Sequence, residues 1–111
     1  LPAAIQFDQA RSTARISPKQ IFLTGATGFV GTFLLHDLVQ ATAARIHCLV
    51  RAADAEHGHL RLRQALKSYF PGEPVADERI VAVPGDLAEP HFGLPGARFN
   101  QLAEEMDLVI H

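Results

Sequence analysis

Cysteine is nearly absent: the 111 residues hold one, Cys48, together with one methionine, one tyrosine and no tryptophan. A lone cysteine excludes an internal disulfide, and its place in an apolar run suits a reducing cytoplasm. Charge of one sign is lacking too, because the formal net charge is only −2. No basic surplus invites nucleic acid or an anionic membrane as a partner. No apolar run approaches the roughly 18 residues of a membrane span, and the opening residues lack the order of a secretory leader. Internal repeats and low-complexity tracts are missing as well. What remains is an ordinary globular balance, 48% hydrophobic and 20% charged, enough for one domain or part of one.

The most informative stretch is IFLTGATGFVG, Ile21 to Gly31. Four strand-favouring residues run into a glycine turn, and apolar residues at helical spacing follow at once: Val30, Phe33, Leu34, Leu38 and Ala41. A buried strand, a glycine turn and a helix opening on that turn form the arrangement that holds a dinucleotide pyrophosphate. Gly25 would permit the tight turn, Gly28 would let the backbone approach the phosphates, and Gly31 would let the helix press onto the sheet. The unpaired N–H groups at the helix start would then face the anion. The competing reading is a packing turn with no ligand.

The rest of the chain alternates in period. Leu1 to Lys19 lacks sustained periodicity and reads as a lead-in or linker, so the Rossmann portion covers residues 20–111. Strands are expected over Gln20–Thr24, Arg45–Arg51, Arg79–Val83 and Asp107–His111. Helices are expected from about Phe29 to Ala41, from an Asp54 cap to about Phe70 with Leu62, Ala65, Leu66 and Tyr69 inward, and over Phe99–Glu105. Asp86 to Gly96, rich in proline and glycine, should be loop. This α/β alternation with short links predicts a doubly wound parallel sheet in strand order 3-2-1-4. A six-stranded dinucleotide fold needs more chain, so the sheet is expected to be the N-terminal portion of a longer one.

Cofactor choice should be set at the end of the second strand. In NAD-binding sheets an acidic residue about 20 positions beyond the glycines accepts from the ribose 2′-hydroxyl. Here that neighbourhood is Leu49-Val50-Arg51, with no carboxylate. Arg51 offers a charged fork suited to a 2′-phosphate, which favours NADP(H) over NAD(H); a solvated strand-end arginine is the plainer alternative. Asp54 is close by, but its place before a helical run makes it a cap. Arg61, on that helix, is a second candidate for the same phosphate, ahead of Arg63, with solvated helix charge as the alternative. Asp86 can accept from the adenine amino group with the Leu87 backbone beside it, or else close an Asx turn.

Once these residues are placed, the chain resembles the thioester reductase domains of the extended short-chain dehydrogenase/reductase superfamily. These terminate nonribosomal peptide synthetases and polyketide synthases and are related to carboxylic acid and aminoadipate reductases. The resemblance rests on IFLTGATGFVGTFLL, HCLVRA, Arg61 to Phe70, RIVAVPGDLAEPHFGL and LAEEMDLVIH, nearly everything from Ile21 onward. It implies NADPH-dependent release of an acyl or peptidyl thioester from a phosphopantetheinyl carrier protein, as aldehyde or alcohol. It also implies cofactor contacts at Gly25, Thr27, Gly28, Phe29, Val30, Gly31, Arg51, Arg61, Asp86 and Leu87, with Leu1 to Lys19 as the linker from the carrier. The family's catalytic Ser or Thr and Tyr-x-x-x-Lys are not matched, since four residues beyond Tyr69 stands Glu73. No catalytic residue is therefore assigned, and the remainder of the reductase domain is an expected partner.

Two other readings share this front half: a sugar-nucleotide epimerase or dehydratase, which an acidic ribose partner would favour, and a non-catalytic NADP sensor. His57 and His59 lack a third ligand and make a poor metal pair. His91 reads as surface, Cys48 as a small buried residue, and Glu104-Glu105 as a solvated helix end. His111, closing the fourth strand, stands between packing support and a contact role.

Overall fold

A computed structural model describes residues 18–75 and 78–110. Four strands are present: β1 (Gln20–Leu23), β2 (Arg45–Val50), β3 (Ile80–Pro84) and β4 (Leu108–Ile110). Three helices connect them: α1 (Phe29–Ala41), α2 (Ala55–Tyr69) and α3 (Gly96–Glu105), with a 3₁₀ turn over Pro90–Gly93. The sheet is parallel throughout in the order β3-β2-β1-β4, the order expected from the sequence. Ile21 lies beside Ile46 and Leu108, and Ile46 lies beside Ile80. Most of the expected linker, Leu1 to Ser17, lies outside the described residues, as does His111.

Both faces of the sheet are covered at β2, which explains why that strand is almost continuously apolar. Ile21, Leu23, Ile46, Cys48, Val50 and Ile80 point to one face and pack with Leu34, Leu35 and Leu38 of α1 and Leu62 and Leu66 of α2. Phe22, Leu49 and Val83 point to the other and pack with Leu102 of α3, Phe92 and Met106. Period-2 alternation along each strand thus divides one apolar sequence between two layers. At the base of the sheet, the Asp107 carboxylate accepts from the Lys19 and Gln20 N–H groups at 2.8 and 2.9 Å. These bonds hold that carboxyl below its ordinary range and fasten β4 to β1.

Helix α1 corrects one expectation. Its buried positions are Gly31, Thr32, Leu34, Leu35 and Leu38, whereas Val30, Phe33 and Ala41 are not buried. Phe33 turns sideways toward the end of α2, with its ring 4.9 Å from Phe70 and 5.7 Å from Tyr69. Tyr69, expected inward, is 40% exposed for the same reason. Apolar spacing could not separate a core stripe from this flank, because a neighbouring aromatic cluster satisfies both. The last carbonyls of α1 are met from β3's approach: Arg79 donates to Val39 and Thr42 at 3.0 and 2.9 Å and to Ala44 at 3.2 Å.

Other boundaries move slightly. Helix α3 starts at Gly96 rather than Phe99, because Pro95 (φ −55°) enters it as the cap and its carbonyl accepts the Phe99 N–H at 2.9 Å. The expected loop after β3 contains the 3₁₀ turn, in which His91 and Phe92 adopt positive φ of 52° and 59°. Non-glycine residues there cost about 1–3 kcal/mol each. The offsetting contacts are the Phe92 ring on Phe22, 5.8 Å between centroids, and His91 on Phe99 at 4.5 Å.

His47 supplies a pH-dependent contribution. It is buried on the α3 side of β2, and its Nε2–H donates to Gln20 Oε1 at 2.7 Å. Its Nδ1 has no hydrogen-bond partner among the described residues. Burial, with the cations Arg98 and Arg45 nearby and Glu105 opposing them, lowers its pKa below 6.5. The unfolded chain therefore takes up this proton near 6.5 and the folded chain only at lower pH. Stability from this residue is complete above about 6.5 and is lost as pH falls toward the folded value. Exposed His57, raised by Asp54, acts in the opposite sense. Urea unfolding between pH 7.5 and 5.5 should show a decline that flattens in His47→Gln; an unchanged slope would remove the assignment.

Candidate functional site

The carboxyl ends of β1, β2 and β3 meet at one edge of the sheet, where such folds bind ligands. After β1 the chain turns sharply at Gly25, whose φ is +71°, a value glycine adopts without steric cost. The Gly28 N–H donates to the Gly25 carbonyl at 3.0 Å and closes the turn. Gly28 is then the N-cap of α1, with no side-chain cap and no acid in the first turn. An uncapped helix start without a carboxylate keeps its N–H groups and positive dipole end available to an anion.

Gly31 does something other than the sequence implied. A Cβ there would overlap the Gly25 carbonyl and crowd the Ala26 Cα. The missing side chain thus lets α1 close on its own turn, not on the sheet. A Cβ at Gly28 would meet only the Gly25 oxygen, at 3.5 Å, an ordinary contact. Among the described residues nothing demands glycine at Gly28, so its bare backbone fits an approach from outside.

Thr32 was missed. It is fully buried, and its hydroxyl lies 2.6 Å from the Gly28 carbonyl and 2.9 Å from that of Ala26. With one hydrogen it donates to one of them at a time, tying the first turn of α1 to the glycine loop. The signal was a threonine one turn into a helix, where back-bonding to the i−4 carbonyl is common.

One groove of about 180 Å³ brings together Gly25 and Thr27 from the turn, Arg51 from the end of β2, Arg61 from α2, and Asp86 and Leu87 after β3. Leu49, Val50 and Gly85 complete its lining. Gly28, Phe29, Val30 and Gly31 do not line it. They form the start of α1, where Phe29 is 65% exposed and Gly31 is buried beneath Gly25. Six of the positions singled out from sequence thus converge on a groove, and four belong to the adjoining helix start.

Arg51 is 79% exposed, and its Nε stands 3.7 Å from Asp86 Oδ2. Arg61 donates through Nη1 to the Arg51 carbonyl, so its present contact is with the backbone beneath Arg51. Asp86 does form an Asx turn, Oδ1 accepting from the Ala88 N–H at 3.0 Å, while Oδ2 remains turned to Arg51. Both alternatives weighed for Asp86 are therefore geometrically compatible. Asp54 caps α2, its carboxylate accepting from the His57 N–H and Nδ1–H at 2.8 Å each. These bonds lower its pKa and engage the one acid near Arg51 that the sequence offered as a ribose partner. Gly58, in the first turn of α2, is tightly placed: a Cβ would come within 2.7 Å of Val50 Cγ1 and 3.1 Å of Ala82 Cβ. That close approach seats Arg61 over the end of β2.

The chain is similar to known reductases throughout this region. A family model for an NAD-binding domain, described as male sterility protein, matches residues 23–111. One component of the linear gramicidin synthase of Brevibacillus parabrevis is 49% identical over 89 residues, covering 80% of this chain and 2% of that protein. The crystal structure of the terminal R domain from the myxalamid PKS-NRPS biosynthetic pathway superimposes with a TM-score of 0.80 at 43% identity. That match covers 86% of this chain and 24% of the solved one. A thiolation-reductase di-domain from an archaeal nonribosomal peptide synthetase matches with a TM-score of 0.64 at 30% identity, over 82% of this chain and 19% of that one. The chain thus spans a small part of each relative.

Proposed function

The chain belongs to the NAD-binding family described as male sterility protein, among the thioester reductase domains of the extended short-chain dehydrogenase/reductase superfamily, and from that membership we propose that it forms the NADP(H)-binding N-terminal part, residues 20–111, of an enzyme that reductively releases a carrier-bound acyl or peptidyl thioester. The observation that carries this reading is the convergence of Arg51, Arg61, Asp86 and the Gly25 turn on one groove beside an uncapped helix start. Gly25, Thr27, Phe29, Val30 and Gly31 would hold the pyrophosphate through backbone N–H groups, and Gly28, whose own N–H closes the turn, would admit it along its bare backbone. Arg51, with Arg61 beneath it, would take the ribose 2′-phosphate, and Asp86 and Leu87 the adenine.

Bound NADPH would supply the hydride for the thioester carbonyl. Two-electron reduction with uptake of one proton then gives an aldehyde and a free pantetheine thiol. The residues of this chain bind and orient; none of the groove residues is placed as the proton donor to the carbonyl oxygen. Leu1 to Lys19 would correspond to the linker from the carrier domain, a partner consistent with the thiolation-reductase pairing in one solved relative. The groove holds two arginines and no acid placed for a 2′-hydroxyl other than the ion-paired Asp86, which disfavours an NAD-linked epimerase.

The test is NADPH consumption by the intact polypeptide given an acyl thioester on its carrier domain. Oxidation of NADPH with release of aldehyde or alcohol is expected. Tight NADPH binding without oxidation would favour the sensor reading instead.

A further inference from the structure

We propose that Asp86 is a specificity-determining residue that competes with the cofactor's 2′-phosphate for the Arg51 guanidinium, so that the protein's preference for a phosphorylated ribose is set by an exchangeable ion pair. This rests on the reading that the groove takes the adenosine end of NADP(H).

The pair bridges the ends of two neighbouring strands. Arg51, Gly85 and Asp86 line the groove with Gly25, Thr27 and Arg61, and they also line a second, more open one with Ala52, Ala53, Pro84 and Gly93. The Arg51–Asp86 contact is therefore the rim common to both. Its two members differ in freedom. Asp86 is fixed: its N–H donates to the Phe92 carbonyl at 2.7 Å, its Oδ1 accepts from Ala88, and it is only 34% exposed. Arg51 is anchored at its carbonyl by Arg61, while its side chain, 79% exposed, is free to swing. The moving member is Arg51.

A ligand with a bare 2′-hydroxyl can enter without disturbing this pair. A 2′-phosphate must draw the guanidinium away from Asp86 or share it, and so gives up part of an existing ion pair. The penalty thus falls on one class of ligand alone, and its size is that of an exposed ion pair.

Calorimetric titration of the intact polypeptide with adenosine 2′,5′-bisphosphate and with 5′-AMP reads this directly. In Asp86→Asn, whose carbonyl oxygen still accepts from the Ala88 N–H, the affinity ratio of bisphosphate to AMP should rise about two- to fivefold. Asp86→Ser, which keeps an oxygen for the same turn, should give the same rise. In an Arg51→Ala background either substitution should leave the ratio unchanged. If Asp86 serves only the adenine, both ligands weaken together at a constant ratio, and the competition is overturned. A rise that persists without Arg51 overturns it as well, assigning the effect to direct repulsion. Equal affinity of the unaltered protein for both probes would instead overturn the assignment of the groove to a phosphorylated ribose, and the competition with it.

Discussion

Gly31→Ala should cost about 3 kcal/mol or more of stability, the upper end for forced overpacking, and should remove cofactor binding. The added Cβ would overlap the Gly25 carbonyl and press on the Ala26 Cα, both main-chain atoms that cannot rotate aside. Either α1 moves away from its turn, pulling the Thr32 hydroxyl off the Ala26 carbonyl, or the turn itself opens. Gly28→Ala is the informative companion. There the new Cβ meets only an ordinary contact at 3.5 Å, and the backbone φ of −80° suits alanine. That variant should unfold like the unaltered protein yet bind NADPH weakly, because its methyl would intrude where the phosphates approach. Thermal unfolding and NADPH titration, run side by side on the intact polypeptide, separate the two roles. A Gly31→Ala protein of undiminished stability would contradict the packing described for the turn.

Arg51→Ala should weaken NADPH binding tenfold or more, since a hydrogen bond to a charged group contributes roughly 1.5–3 kcal/mol. NADH binding should barely change. The asymmetry follows from position: the Arg51 side chain is 79% exposed beyond the end of β2, so its loss leaves the sheet intact. Calorimetry with both cofactors on the intact polypeptide checks it, and equal losses would reject the 2′-phosphate role. Arg61→Ala tests the layer beneath. Because Arg61 holds the Arg51 carbonyl, its removal should also act mainly on NADPH, less steeply.

Strand order, the glycine turn and the Asp54 cap were legible in the sequence because each depends on neighbours in the chain. A glycine between a strand and a helix, or an aspartate three residues before the amide it caps, carries its own geometry. The place of Arg51 just beyond β2 was legible by counting, since the end of that strand lies at a fixed distance from the turn in this architecture. What escaped is what tertiary placement decides. Phe33 and Val30 obey a core period, yet the Tyr69 and Phe70 rings, arriving from another helix, draw Phe33 to the flank. The positive φ at His91 and Phe92 is held by stacking on Phe99 and Phe22, partners remote from a proline-glycine loop pattern. Arg61 was a candidate for the same phosphate, with solvated helix charge as the alternative; its bond to the Arg51 carbonyl could not be read from the sequence, because it follows the close seating of Gly58 against Val50. The missing Cβ of Gly31 was recognised as necessary, but its neighbour was misidentified, because closeness to a turn and closeness to a sheet leave the same mark in a sequence.

Cys48, midway along β2, is wholly enclosed, and burial raises its thiol pKa to about 12. Only the thiolate attacks electrophiles, so at neutral pH this sulfur is chemically silent for as long as the central strands stay sealed. Modification by a small alkylating reagent would then proceed no faster than the interior becomes accessible. The chain therefore carries its own clock, one that runs only during excursions from the closed state.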